Sequence, residues 1–439
     1  MSLPRICIDG FNLGLARGSG IATYARNLSL AQKALGHETQ VLLNTTRAPG
    51  RNALLNEVAL FDEAASIDDK ASVWDNIRRV APRWRPTAKL VPLTGRVQRQ
   101  QYGSRVPEVS KVWANRDVFH SANRAYAAYN RFTPVRLGKS SETDIMHWTC
   151  PLPMVEPNIL NVYTIHDLVP LILPFTTLDN KRNFFTMCRK IISKADLIVT
   201  VSENSRRDII NLLGAPEEKV VNTFQSVQIP AALRDVSNDE IANEIEAVFE
   251  LPWRGYFLFF GAIEPKKNLA RVVEAYLASG VKAPLVIIGG RGWLSEDQTS
   301  LLYDDVIRTS VLRDSILRRA DRIRQYDYLP FSMLVSLIRG ARATLFPSLY
   351  EGFGLPILES MLLGTPVLTS TEGSLPEVAS DAALFVDPYD SHAIRRAIIE
   401  LDRDDSLRED LSKRGLARAD FFNVNRYQER LASAYARLC

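Results

Sequence analysis

Four cysteines in 439 residues, Cys7, Cys150, Cys188 and Cys439, are too few and too scattered for a disulfide framework or a zinc knuckle. That usage fits a reducing, cytoplasmic setting. No run of about 18 uncharged apolar residues occurs, so no segment reads as a membrane-spanning helix. The opening MSLPRICIDGFNL carries Asp9 and lacks the apolar core of a secretory leader. Net charge is only +4, which argues against a polyanion-binding chain as a whole. No G-x-G-x-x-G loop follows the first apolar strand, so the fingerprint of a nicotinamide dehydrogenase is missing. Repeats and low-complexity tracts are absent as well.

What is present is a globular composition, 46% hydrophobic and 24% charged, in a chain too long for one ordinary core. Two domains are expected. The most informative stretch is ATLFPSLYEGFGLPILESMLLGTPVLTS, from Ala343 to Ser370. Ala343 to Phe346 is short and apolar enough for a buried strand. A turn-rich loop, Pro347 to Gly354, leads into a helix over Leu355 to Leu363, with Pro356 in the first turn, where a missing N–H costs nothing. Gly364 and Pro366 end it, and Val367 to Ser370 is the next strand. Loops of this kind sit where parallel sheets bind ligands. Gly352 and Gly354 allow close backbone approach, and the free N–H groups of Phe353, Gly354 and Leu355 at a helix start suit a phosphate. Glu351 in the loop and Glu359 one turn into the helix can both address the same ligand.

Earlier in the chain, a strand over Arg5 to Asp9, a helix from about Gly20 to Leu35 and a strand over Gln40 to Asn44 make a βαβ opening. Residues 47–139 offer helical patches but no convincing strand. Residues 81–139 hold twelve lysines and arginines against two acids, interleaved with Trp84, Tyr102, Trp113, Phe119, Tyr126, Tyr129 and Phe132. Such a patch suits an anionic membrane surface or a polyprenyl-diphosphate acceptor, or is simply a solvated face. Nucleic acid is set aside as a partner. Strands over Asp144 to Trp148 and Asn161 to Asp167 end near His147 and His166. Ala195 to Ser202 is a further strand, and Ser205 caps a helix ending at Gly214. Residues 231–252 read as an acidic linker containing one short helix. The second half then runs through strands over Tyr256 to Ala262, Pro284 to Gly290 and Ile323 to Leu329, with an irregular charged helix expected over Leu301 to Arg319. Asp402-Arg403-Asp404 reads as a solvated face.

EGFGLPILE resembles the E-x7-E signature of retaining group 4 glycosyltransferases, which have the two-domain GT-B fold. The resemblance covers about 1–45 and 144–439. It implies an α/β architecture of two doubly wound, Rossmann-like parallel-sheet domains facing across a cleft. The domains would be an acceptor-side 1–230, a nucleotide-sugar-binding 253–420, and a last helix, 421–439, crossing back to the first. Glu264-Pro265-Lys266-Lys267-Asn268 is similar to the family's E-P-R-K-N, which supplies cations to the donor diphosphate; Lys267 matches it and Lys266 stands where arginine is usual. Arg17-Gly18-Ser19-Gly20 resembles the family's glycine loop, with Gly20 approaching the donor phosphate. TIHDLVPL resembles a segment of bacterial mannosyltransferase-like members. Many relatives carry H-x-H, but here the second position is Thr149. His166 is therefore the first candidate for the cleft and His147 the second. Thr223-Phe224-Gln225 stands where relatives carry an Asn-Gly turn.

The resemblance implies a hexosyltransferase, with GDP-mannose as donor, a lipid-linked or cell-surface glycan as acceptor, and no metal or other cofactor. Its catalytic groups would be His166, Glu351 and Lys267, and its substrate-binding groups Gly20, His147, Lys266, Phe353, Gly354, Leu355 and Glu359. Two other classes stay open: a nucleotide-sugar epimerase on the same fold, and a non-catalytic glycan- or membrane-binding protein.

Overall fold

The structure, a computed structural model, describes residues 3–14, 20–45, 49–61, 85–97, 106–138, 141–290, 308–313 and 316–438. Two open sheets organise it. The first has the strand order Val220–Asn222, Leu197–Thr200, Leu160–Thr164, Ile145–Trp148, Ile6–Asp9, Thr39–Thr45, Lys111–Arg116, Lys89–Val91, parallel except for its last pair. The second is wholly parallel, in the order Ile323–Tyr326, Leu285–Ile288, Phe257–Phe260, Ala343–Phe346, Val367–Ser370, Leu384–Val386. Runs such as FLFF and LVII are apolar throughout because both faces of a parallel sheet are covered. Phe257 and Phe259 enter one hydrophobic cluster, while Leu258 and Phe260 enter another.

Four expectations need correction. Part of the 47–139 stretch belongs to the first sheet: Lys111–Arg116 pairs in parallel with Thr39–Thr45, and helix Val118–Tyr129 follows it. Only Val112, Trp113 and Ala114 of that strand are buried, and cations at each end hide so short an apolar core from a periodicity search. Trp113 and Phe119 are core residues, and Lys111 and Arg124 are paired with Glu38 and Asp117. Arg83, Arg99, Arg105, Lys139, Trp84 and Tyr102 lie outside the described residues. The 231–252 stretch holds helix Asn238–Phe249, in line with the helix expected there, and its Ile241, Ile245 and Phe249 pack in the second domain's core. The helix expected over 301–319 is not there in its described part: Arg308–Arg313 and Ile316–Asp321 form an antiparallel hairpin. Ser202, not Ser205, caps helix Glu203–Leu213, accepting from the Ser205 N–H at 3.0 Å. Asp402 and Asp404 also have structural work, since Asp402 pairs with Arg342 and Asp404 caps helix Asp405–Asp420.

The C-terminal helix, Val424–Ala436, crosses back and packs on helix Gly20–Ala34. Tyr427, Leu431, Ala434 and Tyr435 share one cluster with Tyr24 and Leu28 of the first domain and with Phe353 and Ile357 of the second. Phe224 sits at the chain's first crossing between domains, with a backbone φ of 55°, and packs against Phe421 and Phe422 at the second crossing.

Candidate active site

Strand Ala343–Phe346 delivers the chain to a loop that ends at Gly354, whose φ of 100° suits only glycine. A side chain there would also strike Leu375. The N–H groups of Phe353, Gly354 and Leu355 have no acceptor among the described residues and line the start of helix Leu355–Leu362. The Phe353 ring is buried against Phe422, ring centroids 5.4 Å apart, which anchors the loop from behind.

Lys266 and Lys267 come from a tight 3-10 turn after strand Phe257–Phe260, one turn ahead of helix Leu269–Ser279 rather than inside it. The Lys267 ammonium lies 2.5 Å from one Glu351 oxygen, and that of Lys266 lies 3.7 Å from the other. The backbone carbonyl of Lys266 accepts from the Leu349 N–H at 2.7 Å, so the two segments form one unit. Burial pushes the Glu351 carboxyl up, but Lys267 and Lys266 outweigh it and hold it below the usual range. Burial likewise opposes the Lys266 charge, yet Glu351, Asp167 and Glu264 keep it above the ordinary lysine value. Glu359 is different. It is half-buried, its carboxylate receives no hydrogen bond from the described residues, and burial lifts it to about 7 against the pull of Lys267.

The first domain supplies the opposite wall. His166 follows strand Leu160–Thr164, and its Nε2 lies 2.9 Å from the Thr149 carbonyl oxygen. A carbonyl only accepts, so Nε2 carries the proton and Nδ1 keeps its lone pair. Burial, with a contribution from Lys266, holds this imidazole below its ordinary pKa and therefore neutral. Gly20 begins helix Gly20–Ala34, and a side chain there would meet Leu355 at 3.4 Å, so two helix starts face each other. At Gly352 the domains approach closely: a Cβ there would lie 2.7 Å from the His166 carbonyl oxygen. The loop's first glycine thus serves the fit between walls.

Gly20, His166, Lys266, Lys267, Glu351, Phe353, Gly354, Leu355 and Glu359 gather around this cleft. His147 does not. It is fully buried, with Nδ1 2.6 Å from the Tyr435 hydroxyl and Nε2 2.8 Å from Thr164 Oγ1, and burial drops it to about 3. Sequence reasoning missed the contacts that clasp the walls together. Glu377 of the second domain accepts from the Glu203 and Asn204 N–H groups at the start of helix Glu203–Leu213, at 2.7 and 3.0 Å. Tyr350 donates to Asp208 and accepts from the Asn204 amide at 2.6 Å. Val169 and Leu173 pack against Leu349 and Tyr350 beside them. No local motif announces such a clasp, because each partner lies more than 140 residues from the other. A cavity of about 540 Å³ lined by Pro252, Lys282, Arg342 and Arg403 lies at the opposite ends of the second sheet's strands, away from these groups.

A wall of cations and amide N–H groups facing a neutral imidazole can hold a diphosphate and stabilise its departure. Comparisons with known proteins identify the family. Residues 243–418 match the family model "Glycosyl transferases group 1", and residues 18–221 match "Glycosyltransferase Family 4". The O-antigen chain mannosyltransferase B of Escherichia coli is 36% identical over 282 residues, covering 62% of this chain and 69% of that one. The O-antigen chain mannosyltransferase RfbU of Salmonella typhimurium is 24% identical over 292 residues, 66% of this chain and 72% of that one. Among solved structures, Anabaena HepE in complex with UDP and glucose superposes with a TM-score of 0.65 at 13% identity, over 99% of this chain and 100% of that one. Sucrose-phosphate synthase from Thermosynechococcus elongatus does so with 0.65 at 16% identity, over 99% of each chain. The chain belongs to the group 1, family 4 glycosyltransferases, with the GT-B fold.

Proposed function

We propose that the protein transfers mannose from GDP-mannose, with retention of configuration, to a hydroxyl of a lipid-linked or cell-surface glycan. The observation that carries this reading is the meeting of Lys266, Lys267, Glu351 and Glu359 with the amide-lined start of helix Leu355–Leu362, opposite Gly20 and His166. The bond from the anomeric carbon to the diphosphate oxygen breaks, and Lys266, Lys267 and the free N–H groups take up the charge that develops there. The acceptor oxygen bonds to the same face of that carbon, and its proton ends on the departing diphosphate. No divalent metal enters this scheme. Glu351 orients hydroxyls of the transferred sugar, His166 Nδ1 accepts from one of them, and Glu359 accepts from the ribose. Two relatives named as O-antigen mannosyltransferases support mannose.

An anionic membrane surface is the proposed place of work. Leu54, Leu55 and Val58 on helix Ala53–Phe61 are exposed, Leu55 at 63%. Exposed Arg51, Lys89 and Arg96 flank them, with the Lys89 ammonium 3.3 Å from the Pro49 carbonyl. This support begins at helix Ala53–Phe61, ahead of the 81–139 stretch. Among the described residues no helix is long and apolar enough to cross a bilayer.

Thermal shift with GDP, UDP, dTDP and NAD, each with and without EDTA, tests the donor. A GDP shift that EDTA leaves unchanged is the expected result; no shift with any nucleotide would sink the reading. Sugar-nucleotide turnover without any acceptor, yielding a changed sugar, would mark an epimerase instead.

A further inference from the structure

We infer that Tyr24 is a positioning residue for His166, itself held by a buried hydrogen-bond relay that ends on the C-terminal helix. The inference rests on the reading of His166 as the cleft imidazole.

The relay starts at Gln32 on helix Gly20–Ala34, whose amide donates to the Tyr435 hydroxyl at 2.8 Å. That hydroxyl keeps its own proton for His147 Nδ1, 2.6 Å away. His147 is therefore protonated on Nε2, which donates to Thr164 Oγ1 at 2.8 Å. The Thr164 hydroxyl then donates to the Tyr24 oxygen at 2.9 Å. Gln32, Tyr435, His147, Thr164 and Tyr24 are all buried. The line ties the Tyr24 hydroxyl to the C-terminal helix through buried groups and so restrains where the Tyr24 ring stands.

That place is against His166. The two rings meet edge to face, centroids 4.8 Å apart and planes at 87°. The Thr149 carbonyl fixes His166 through Nε2 but leaves the ring free to swing about that bond. Tyr24, packed edge to face on that ring, limits the swing and with it the direction Nδ1 can take. The relay thereby ties the aim of a first-domain imidazole to a helix that reaches it from the second domain, 403 positions beyond Gln32. A core of this size could be filled more cheaply by phenylalanine and leucine, because a buried polar line costs desolvation at every member.

The test uses the full chain, GDP-mannose as donor and release of nucleoside diphosphate as readout. Tyr24→Leu, Tyr24→Phe and Tyr435→Phe are each made in the wild-type and in the His166→Ala background, with melting temperatures followed in parallel. Tyr24→Leu is expected to lower kcat about tenfold with donor KM within about twofold, and the two phenylalanine variants to lower it about threefold. In the His166→Ala background none of them should lower kcat further, because the group they aim is gone. Costs that persist in full in that background, or a Tyr24→Leu variant with unchanged kcat beside a crippled His166→Ala, overturn the inference alone. A His166→Ala enzyme of normal activity overturns both the His166 reading and the inference. Should Tyr24→Leu fail to fold, the Tyr435→Phe pair decides by the same criterion.

Discussion

The second domain meets the cleft with charges: Lys266, Lys267, Glu351 and Glu359, the first three locked to one another within one unit. Among the described residues the first domain, Asp167 apart, meets it with neutral groups: a helix start at Gly20 and an imidazole held uncharged. The charged wall is built from two short segments, each readable as a motif. The neutral wall is built from residues that only the fold brings together, Tyr24 with Thr164 and Thr149 with His166. On the proposed function the division is one of charge: fixed charges on the second domain serve the diphosphate and, through Glu351 and Glu359, the hydroxyls, while the first domain adds uncharged contacts of defined direction.

The largest test of that division compares Lys267→Met with His166→Ala. Losing Lys267 strips the leaving group of a cation and leaves Glu351 with only the more distant Lys266, so kcat should fall on the order of 10²- to 10³-fold. His166→Ala should cost about 10- to 100-fold, as a directional contact does. Steady-state release of nucleoside diphosphate measures both, and the reverse order would break the comparison.

A second test sharpens it through pH. Among the described residues Glu359 is the carboxylate of the charged wall without a cation in contact, and burial lifts it to about 7. Ribose hydroxyls bind the ionised form, so GDP affinity should rise about tenfold from pH 6 to pH 8, and Glu359→Gln should flatten that slope. Calorimetric Kd values at three pH values decide it. The same carboxyl makes the empty protein bind more protons folded than unfolded. Its contribution therefore lowers stability as pH rises from the ordinary carboxyl value of 4.5 toward 7.

The smallest effect is expected at the hinge. Phe224→Gly relieves a left-handed backbone worth roughly 1–2 kcal/mol. It also removes two ring pairs, worth about 0.5–1.5 kcal/mol each, and the partial burial of the ring, worth about 1–2 kcal/mol. The loss outweighs the relief, so urea midpoints should fall modestly. A stabilised variant would show that the ring's contacts are weaker than its strain.

Sequence reading went furthest where function is local. The loop and helix around Glu351 and Glu359 were legible because strand, glycine, proline and acid follow within 28 residues, and the fold followed from apolar runs with clean boundaries. The strand Lys111–Arg116 was not legible, since its three buried residues are outnumbered by polar neighbours that emerge at the sheet's ends. His147 and His166 looked alike, each at the end of an apolar strand; only three dimensions reveal that the crossing helix covers one and spares the other. Phe224, where a glycine turn is usual, is accounted for by Phe421 and Phe422, nearly 200 residues away.

The crossing helix also sets an order of assembly. Residues 6–222 are synthesised first, yet Gln32 Nε2 and His147 Nδ1 lack their partner until Tyr435 arrives. The lobe made earliest is therefore sealed last, and a nascent or truncated chain presents an open, half-polar groove along helix Gly20–Ala34. Tags or fusions that hold residues 424–436 away from that groove would leave a protein whose second lobe is sound and whose first is not.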